Sequence, residues 1–301
     1  MNFIGNAKAV KLSNKAIENR KISQAYLFSG PEGVGKFTLA KIFANSVISE
    51  RNIFKNDVLS LAGKEEDELD LATIEPEIEE KKGVKKEKDI KIEKIREAQK
   101  DLALYPYSGK KKVLIINNAH RMTVSAQNAL LKSLEEPNET SIIILVTHND
   151  SKIISTIKSR CQKINFSLAD LKEIKKMFDG DIDSNDLVTF SMGRPGLALK
   201  MKENKEEFDA RKKELEHIKR FPDIGVNERF KLAEKMSSDT MNAIKKFEFW
   251  MWIIRLEALR SNNAKGFFSF GTIERIEKSL EIIKSTNANA RLVLENLFLE
   301  I

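Results

Sequence analysis

The stretch QAYLFSGPEGVGKFTLAKIFANSVISE, Gln24 to Glu50, sets three elements in order: an apolar run, a glycine-rich loop and an apolar helix. Tyr26, Leu27 and Phe28 are strand formers placed just before Gly30. Gly30, Gly33 and Gly35 follow, and the segment from Lys36 continues with helical periodicity. Strand, glycine loop, helix is the order a phosphate site requires, because backbone N–H groups of the loop and the helix N-terminus face the anion. Lys36 stands where a cation reaches the outer phosphates. Phe37, however, stands where a serine or threonine hydroxyl would hold Mg²⁺. Thr38 lies about 100° further round the helix, so it cannot simply substitute. The shape of a nucleotide loop is present and its metal chemistry is not.

Outward from this stretch, KVLIINNA and SIIILVTH are short runs rich in β-branched residues, separated by a helical segment. They read as buried parallel strands of an α/β sheet. The opening segment, the first 23 residues, reads as a capped amphipathic helix. Between Glu65 and Glu80 there are nine acidic residues and no basic one, and a lysine-rich block follows. Opposed charge blocks of this kind predict a solvated insertion, about 51–92. The spacing of Ile92, Ile95 and Leu102 then predicts a helix returning to the core. After KINFS the pattern is helical almost to the end, broken at FDGDIDSND, SMGRPG, RFPDIGVN and SNNAKG. FEFWMWIIRL is apolar nearly all round, which means burial on several sides.

The chain has 301 residues, enough for two or three domains. Hydrophobic and charged contents of 41% and 32% describe a globular protein, and a net charge of +7 is compatible with an anionic partner such as DNA. The single cysteine, Cys161, excludes an intrachain disulfide framework and a thiolate zinc cluster. It reads as a small buried hydrophobe in a reducing compartment. The expectation is a cytoplasmic protein with no membrane span, no secretory signal and no bound metal. His148 and His217 have no partners at metal-ligand spacing, and His120 reads either as a group supporting the altered site or as a structural histidine.

The strand VLIINNAH ends in Asn117 and Asn118, where phosphate-hydrolysing relatives of such a fold carry an acidic pair for Mg²⁺ and water. An amide oxygen brings a metal no charge, and an amide cannot take a proton. Then comes HRMTVSAQNALLKSLEEPNETSIIILVTHNDSKIISTIKSRCQ. This resembles the clamp-loader branch of the AAA+ proteins: Asn128 to Pro137 match its helix motif, Thr147 to Asn149 fall at its first sensor, and Ser159, Arg160 and Cys161 give its S-R-C motif. SMGRPGLAL is similar to its second sensor, with Arg194 opening a lid helix. Within the branch, the altered strand end and MTVSAQNALL are most similar to the delta-prime subunits of bacterial DNA polymerase III. The four-cysteine zinc module of many bacterial relatives is replaced here by the charged insertion.

The resemblance implies an α/β plus α fold: a P-loop AAA+ parallel-sheet domain over 1–165, a small helical lid over 166–205 and an all-helical collar over 206–301. It implies a subunit that hydrolyses no ATP, acts as a rigid wall of a pentameric ring, and supplies Arg160 in trans to the ATP of a neighbour. Gamma/tau and delta subunits, the sliding clamp and primed DNA are the partners it implies. Gly30, Gly33, Gly35, Lys36, Phe37, Thr38 and Arg194 would form a vestigial or weak nucleotide site, holding ATP or ADP without hydrolysis if at all. An active or nucleotide-sensing ATPase subunit of the gamma/tau kind is the alternative.

Overall fold

The structure, a computed structural model, describes residues 3–50, 69–81, 84–107, 110–260, 266–286 and 288–301. By compactness the chain divides into two units, Met1–Ala198 and Leu199–Ile301.

The first unit opens with α1 (Ala7–Glu18), β1 (Ala25–Ser29) and α2 (Lys36–Ile48). Next come β2 (Leu71–Ile74), a hairpin of β3 (Ile78–Lys81) and β4 (Val84–Glu87), α3 (Ile92–Leu102) and β5 (Lys112–Ile116). They are followed by α4 (Val124–Glu135), β6 (Ser141–Thr147), α5 (Ser155–Lys158) and β7 (Gln162–Asn165). Five strands form one sheet in the order β2-β5-β6-β1-β7, with every pair parallel. Parallel strands need crossovers, and the intervening helices supply them on both faces.

Alternation along the strands explains the layering. Tyr26, Phe28, Val113, Ile115, Ile142, Ile144 and Val146 point to one face, where Ala9, Leu39, Phe43 and Val47 of α1 and α2 cover them. Leu27, Leu114, Ile116, Ile143 and Leu145 point to the other, under Ile95 and Leu102 of α3 and Ala126, Leu130 and Leu134 of α4. The central strands are buried on both sides, which is why they read as unbroken apolar runs.

Two expectations need correction. The segment read as an insertion over about 51–92 contributes β2, whose Leu71–Ile74 pair in register with Val113–Ile116. Four residues between Asp70 and Glu75 were too short a run to stand out from their acidic surroundings; residues 51–68 of that segment lie outside the described ones. Second, the opening helix, expected to be capped, has no side-chain cap: Asn6, which precedes α1, supplies none. Its amide is engaged elsewhere, donating to the Ser167 carbonyl and accepting from the Ser167 N–H. The segment expected as a lid holds α6 (Leu171–Lys175), α7 (Ser184–Phe190) and α8 (Pro195–Glu203), and as far as Ala198 it falls in the same compact unit as the sheet. Backbone bonds account for this: Gly196 donates to Gly33, and Ala169 donates to Gly193.

The second unit is helical: α9 (Lys205–Arg220), α10 (Val226–Ser237), α11 (Thr240–Arg260), α12 (Phe270–Ser285) and α13 (Ala290–Glu300). FEFWMWIIRL lies in α11, where Phe247, Phe249, Trp250, Ile253 and Ile254 are buried. Trp250 stacks with Phe298, meets Phe221, Phe247 and Phe267 edge-on, and donates its indole N–H to Glu214 at 2.7 Å. A buried indole needs such an acceptor. Among the described residues, no helix is long and apolar enough to cross a membrane.

Candidate functional site

The glycine loop sits where β1 leaves the sheet. Gly30 N–H bonds to Thr147 of β6, while Phe166 N–H bonds to Ser29, so the strand end is held from both sides. A side chain at position 30 would place its Cβ 2.3 Å from the Phe166 carbonyl oxygen, so only glycine passes there. Gly35 has φ +89° and opens α2 without a side-chain cap, and the ring of Phe3 packs against it, 2.9 Å from where a Cβ would stand.

Lys36 is turned inward. It is only 6% exposed, and its ammonium donates to the carbonyl of Gly30 at 2.7 Å and to that of Pro31. Burial lowers its pKa to about 8; Glu32 opposes the shift and Arg194 adds to it. Arg194 lies across the loop, with its Cβ 3.3 Å from where a side chain on Gly33 would begin. Phe37 is half-buried and carries the ammonium of Lys41 4.3 Å above its ring, while Thr38 is exposed. The seven residues expected to form a nucleotide site are therefore together, with the loop's own carbonyls satisfying its lysine.

The end of β5 is the more informative half of the site. Asn117 donates through Nδ2 to Glu75 at 3.1 Å and accepts from the N–H of Asn118. Asn118, at φ +51°, donates through Nδ2 to Glu87 at 3.1 Å. A left-handed backbone suits asparagine better than other non-glycine residues. Arg121 completes the clasp, reaching the Glu87 carbonyl and lying 3.5 Å from Asp89. Ile90 bonds on both sides, donating to Arg121 and accepting from Thr123. Glu75 and Glu87 come from the charged segment that the sequence reading set aside. No local signal marked them, because the contact joins positions 42 and 31 residues apart. Carboxylates at 117 and 118 would face these two like charges; amides donate to them instead.

At the first-sensor position, Thr147 is buried, its hydroxyl accepting from Asn149 N–H and lying 3.3 Å from His120 Nδ1. The His120 and His148 rings are 4.0 Å apart. Burial, then His148 and the cations Lys152, Arg121 and Lys36, push the His120 pKa down to about 4, and burial lowers that of His148 too. His120 is thus a neutral imidazole packed beside the strand end.

Arg160 lies apart from this cluster, in the turn after α5. Its Nη2 is 2.8 Å from Glu135 and its Nη1 donates to the Thr156 carbonyl at 3.0 Å. Cys161 beside it packs against the core, and burial pushes its thiol up to about 12, so it is inert as a nucleophile. One residue the sequence reading missed organises this region. Gln127, 3% exposed, donates to Met122 and Lys152 carbonyls and accepts from Ile154 N–H at 2.9 Å. It fixes α4 to the segment that leads into α5. A glutamine on the apolar face of a predicted helix was the available clue.

The family described as DNA polymerase III, delta subunit, matches residues 5–170, more than half of the chain. The chain belongs to that family. It is similar to the DNA polymerase III subunit tau of Bacillus subtilis, 35% identical over 187 residues, which cover 61% of this chain and 32% of that protein. It is similar also to the DNA polymerase III subunit delta' of Pseudomonas aeruginosa, 34% identical over 46% of this chain and 42% of that one. The delta' subunit of Bacillus subtilis is 31% identical over 58% of this chain and 52% of its own length. The match thus spans about a third to a half of these relatives. A crystal structure of a DNA polymerase III gamma-subunit-related protein from Thermotoga maritima aligns over 97% of this chain and 98% of its own, with TM-score 0.54 and 20% identity, and shares its fold. The clamp-loader AAA+ resemblance read from the motifs is thereby shown for this DNA polymerase III delta-family chain.

Proposed function

We propose that the chain is a non-hydrolysing, delta-prime-like subunit of a bacterial DNA polymerase III clamp loader. It serves as a rigid wall of a pentamer, donates Arg160 to ATP held by an adjacent gamma/tau subunit, stands with delta in the same ring, and helps place a sliding clamp on primed DNA. The observation that carries this reading is the end of β5, where Asn117 and Asn118 are engaged with Glu75 and Glu87. Mg²⁺ asks for charged oxygen ligands and hydrolysis for a proton acceptor, and amides supply neither. The glycine loop fits a magnesium nucleotide equally poorly: Lys36 is bonded to Gly30 and Pro31, Phe37 replaces the hydroxyl, and Phe3 lies against Gly35. Neither nucleotide nor zinc is needed for the role.

Arginine suits the trans role because its planar fork stays charged and can hold two phosphate oxygens. DNA contact in this reading is to phosphates and salt-sensitive, since the task does not involve reading sequence. The purified chain, incubated with ATP, is expected to release no phosphate above a blank. Turnover that disappears in Lys36→Ala would instead make it an ATPase of the gamma/tau kind. A nucleotide-sensing reading draws on the closeness of Arg194 to Gly33; equilibrium dialysis with labelled ATP and ADP separates it from an empty pocket.

A further inference from the structure

The guanidinium of Arg160 is turned back onto its own chain. Its two terminal nitrogens meet acceptors on two elements: Glu135, the last residue of α4, and Thr156 in α5. Gln127 ties α4 to the segment before α5, so this pair of acceptors is held as one unit. Both partners of the ion pair stay open to solvent, the arginine side chain 35% exposed and the glutamate 49%. An exposed pair holds weakly and is readily exchanged for a stronger acceptor. Glu135 nevertheless offers one arm of the guanidinium an anionic oxygen, as a phosphate of higher charge would, so the two anions compete for the same group.

We propose that Glu135 is a positioning residue that parks Arg160 on its own chain, and that engagement of a neighbour's phosphate proceeds by exchange of Glu135 for that phosphate. The inference rests on the trans role of Arg160 set out above. It gives Glu135 a task beyond ending a helix before Pro137: it holds the arginine at home until an anion of higher charge arrives.

Two variants separate charge from shape. Glu135→Gln keeps an acceptor oxygen at the same reach and removes the anion, whereas Glu135→Ala removes both. In the isolated chain, modification of Arg160 by phenylglyoxal, followed by peptide mass spectrometry, is expected to quicken about two- to fivefold in Glu135→Gln, the range a weak exposed pair allows. In the chain reassembled with its ATPase partner, Glu135→Gln is expected to raise ATP hydrolysis by a similar factor, and the gain should shrink as added salt screens the pair. Equal Arg160 reactivity in wild type and Glu135→Gln overturns the parking contact. So does hydrolysis in the assembly that is unchanged or slower in Glu135→Gln while Arg160→Ala is impaired. If Arg160→Ala leaves hydrolysis untouched, the trans role fails and this proposal with it, and the reactivity measurement on the isolated chain tells the two failures apart.

Discussion

Lys36 and Arg160 are two cations that the proposed function sets against phosphate, and the fold treats them in opposite ways. Lys36 is buried, desolvated and satisfied by carbonyls of its own loop. Arg160 is at the surface, held by one carboxylate and one carbonyl that solvent can reach. The first arrangement closes a site inward; the second leaves a charge free to serve something outside the chain. What differs is less the residue type than the cost of leaving home, which is large for a buried ammonium and small for an exposed guanidinium.

The contrast is sharpest in the effect of removing each cation. Arg160→Ala is expected to slow ATP hydrolysis of the reassembled loader at the site it faces by on the order of 10³-fold, with folding intact, whereas Lys36→Ala is expected to leave assembled turnover within about twofold. Comparable losses in the two variants would erase the distinction. Next in size is Gln127→Leu, which takes the partner from the Ile154 N–H and from two carbonyls at a joint that is buried at Met122 and part-buried at Lys152 and Ile154. Urea unfolding should show a loss of about 2–3 kcal/mol.

Protonation offers two gentler tests. The folded pKa of His120 is about 4, below the ordinary value of 6.5, so the folded state binds fewer protons in between. Stability is complete above about pH 6.5 and is lost as pH falls toward 4; between pH 7 and 5 the loss should be on the order of 1 kcal/mol and smaller in His120→Gln. Lys36 gives the alkaline counterpart, its folded pKa of about 8 lying below the ordinary 10.5. Wild type should gain stability relative to Lys36→Met as pH rises from about 8 to 10.5, and a flat difference would mean that the ammonium is not desolvated. The smallest effect is expected from Asn117→Asp, which sets a carboxylate against Glu75 at the exposed edge: about 0.5 kcal/mol, with faster amide exchange in β2.

Much of this was legible in the chain itself. Strands β1, β5 and β6 announce themselves because burial on both faces demands continuous apolar residues. The glycine loop is legible because Gly30 has no room for a side chain. Strand β2 was hidden, since an edge strand needs only a few apolar residues and Leu71–Ile74 sits among acids. The loss of the acidic pair could be read at Asn117 and Asn118, but not what replaced it, because Glu75 and Glu87 arrive by long-range hydrogen bonds. The inward turn of Lys36 depends on a rotamer, and no residue pattern encodes that. The pairing of Arg160 with Glu135 is equally invisible in the sequence, since 25 positions separate the two residues.

Both tryptophans of the chain, Trp250 and Trp252, stand on α11 in the helical unit. Indole emission therefore reports on that unit alone and is blind to the sheet and its glycine loop. A fluorescence transition in denaturant that fails to coincide with the far-ultraviolet dichroism would reveal that the two units melt independently. Any optical probe of events at the glycine loop will have to be introduced.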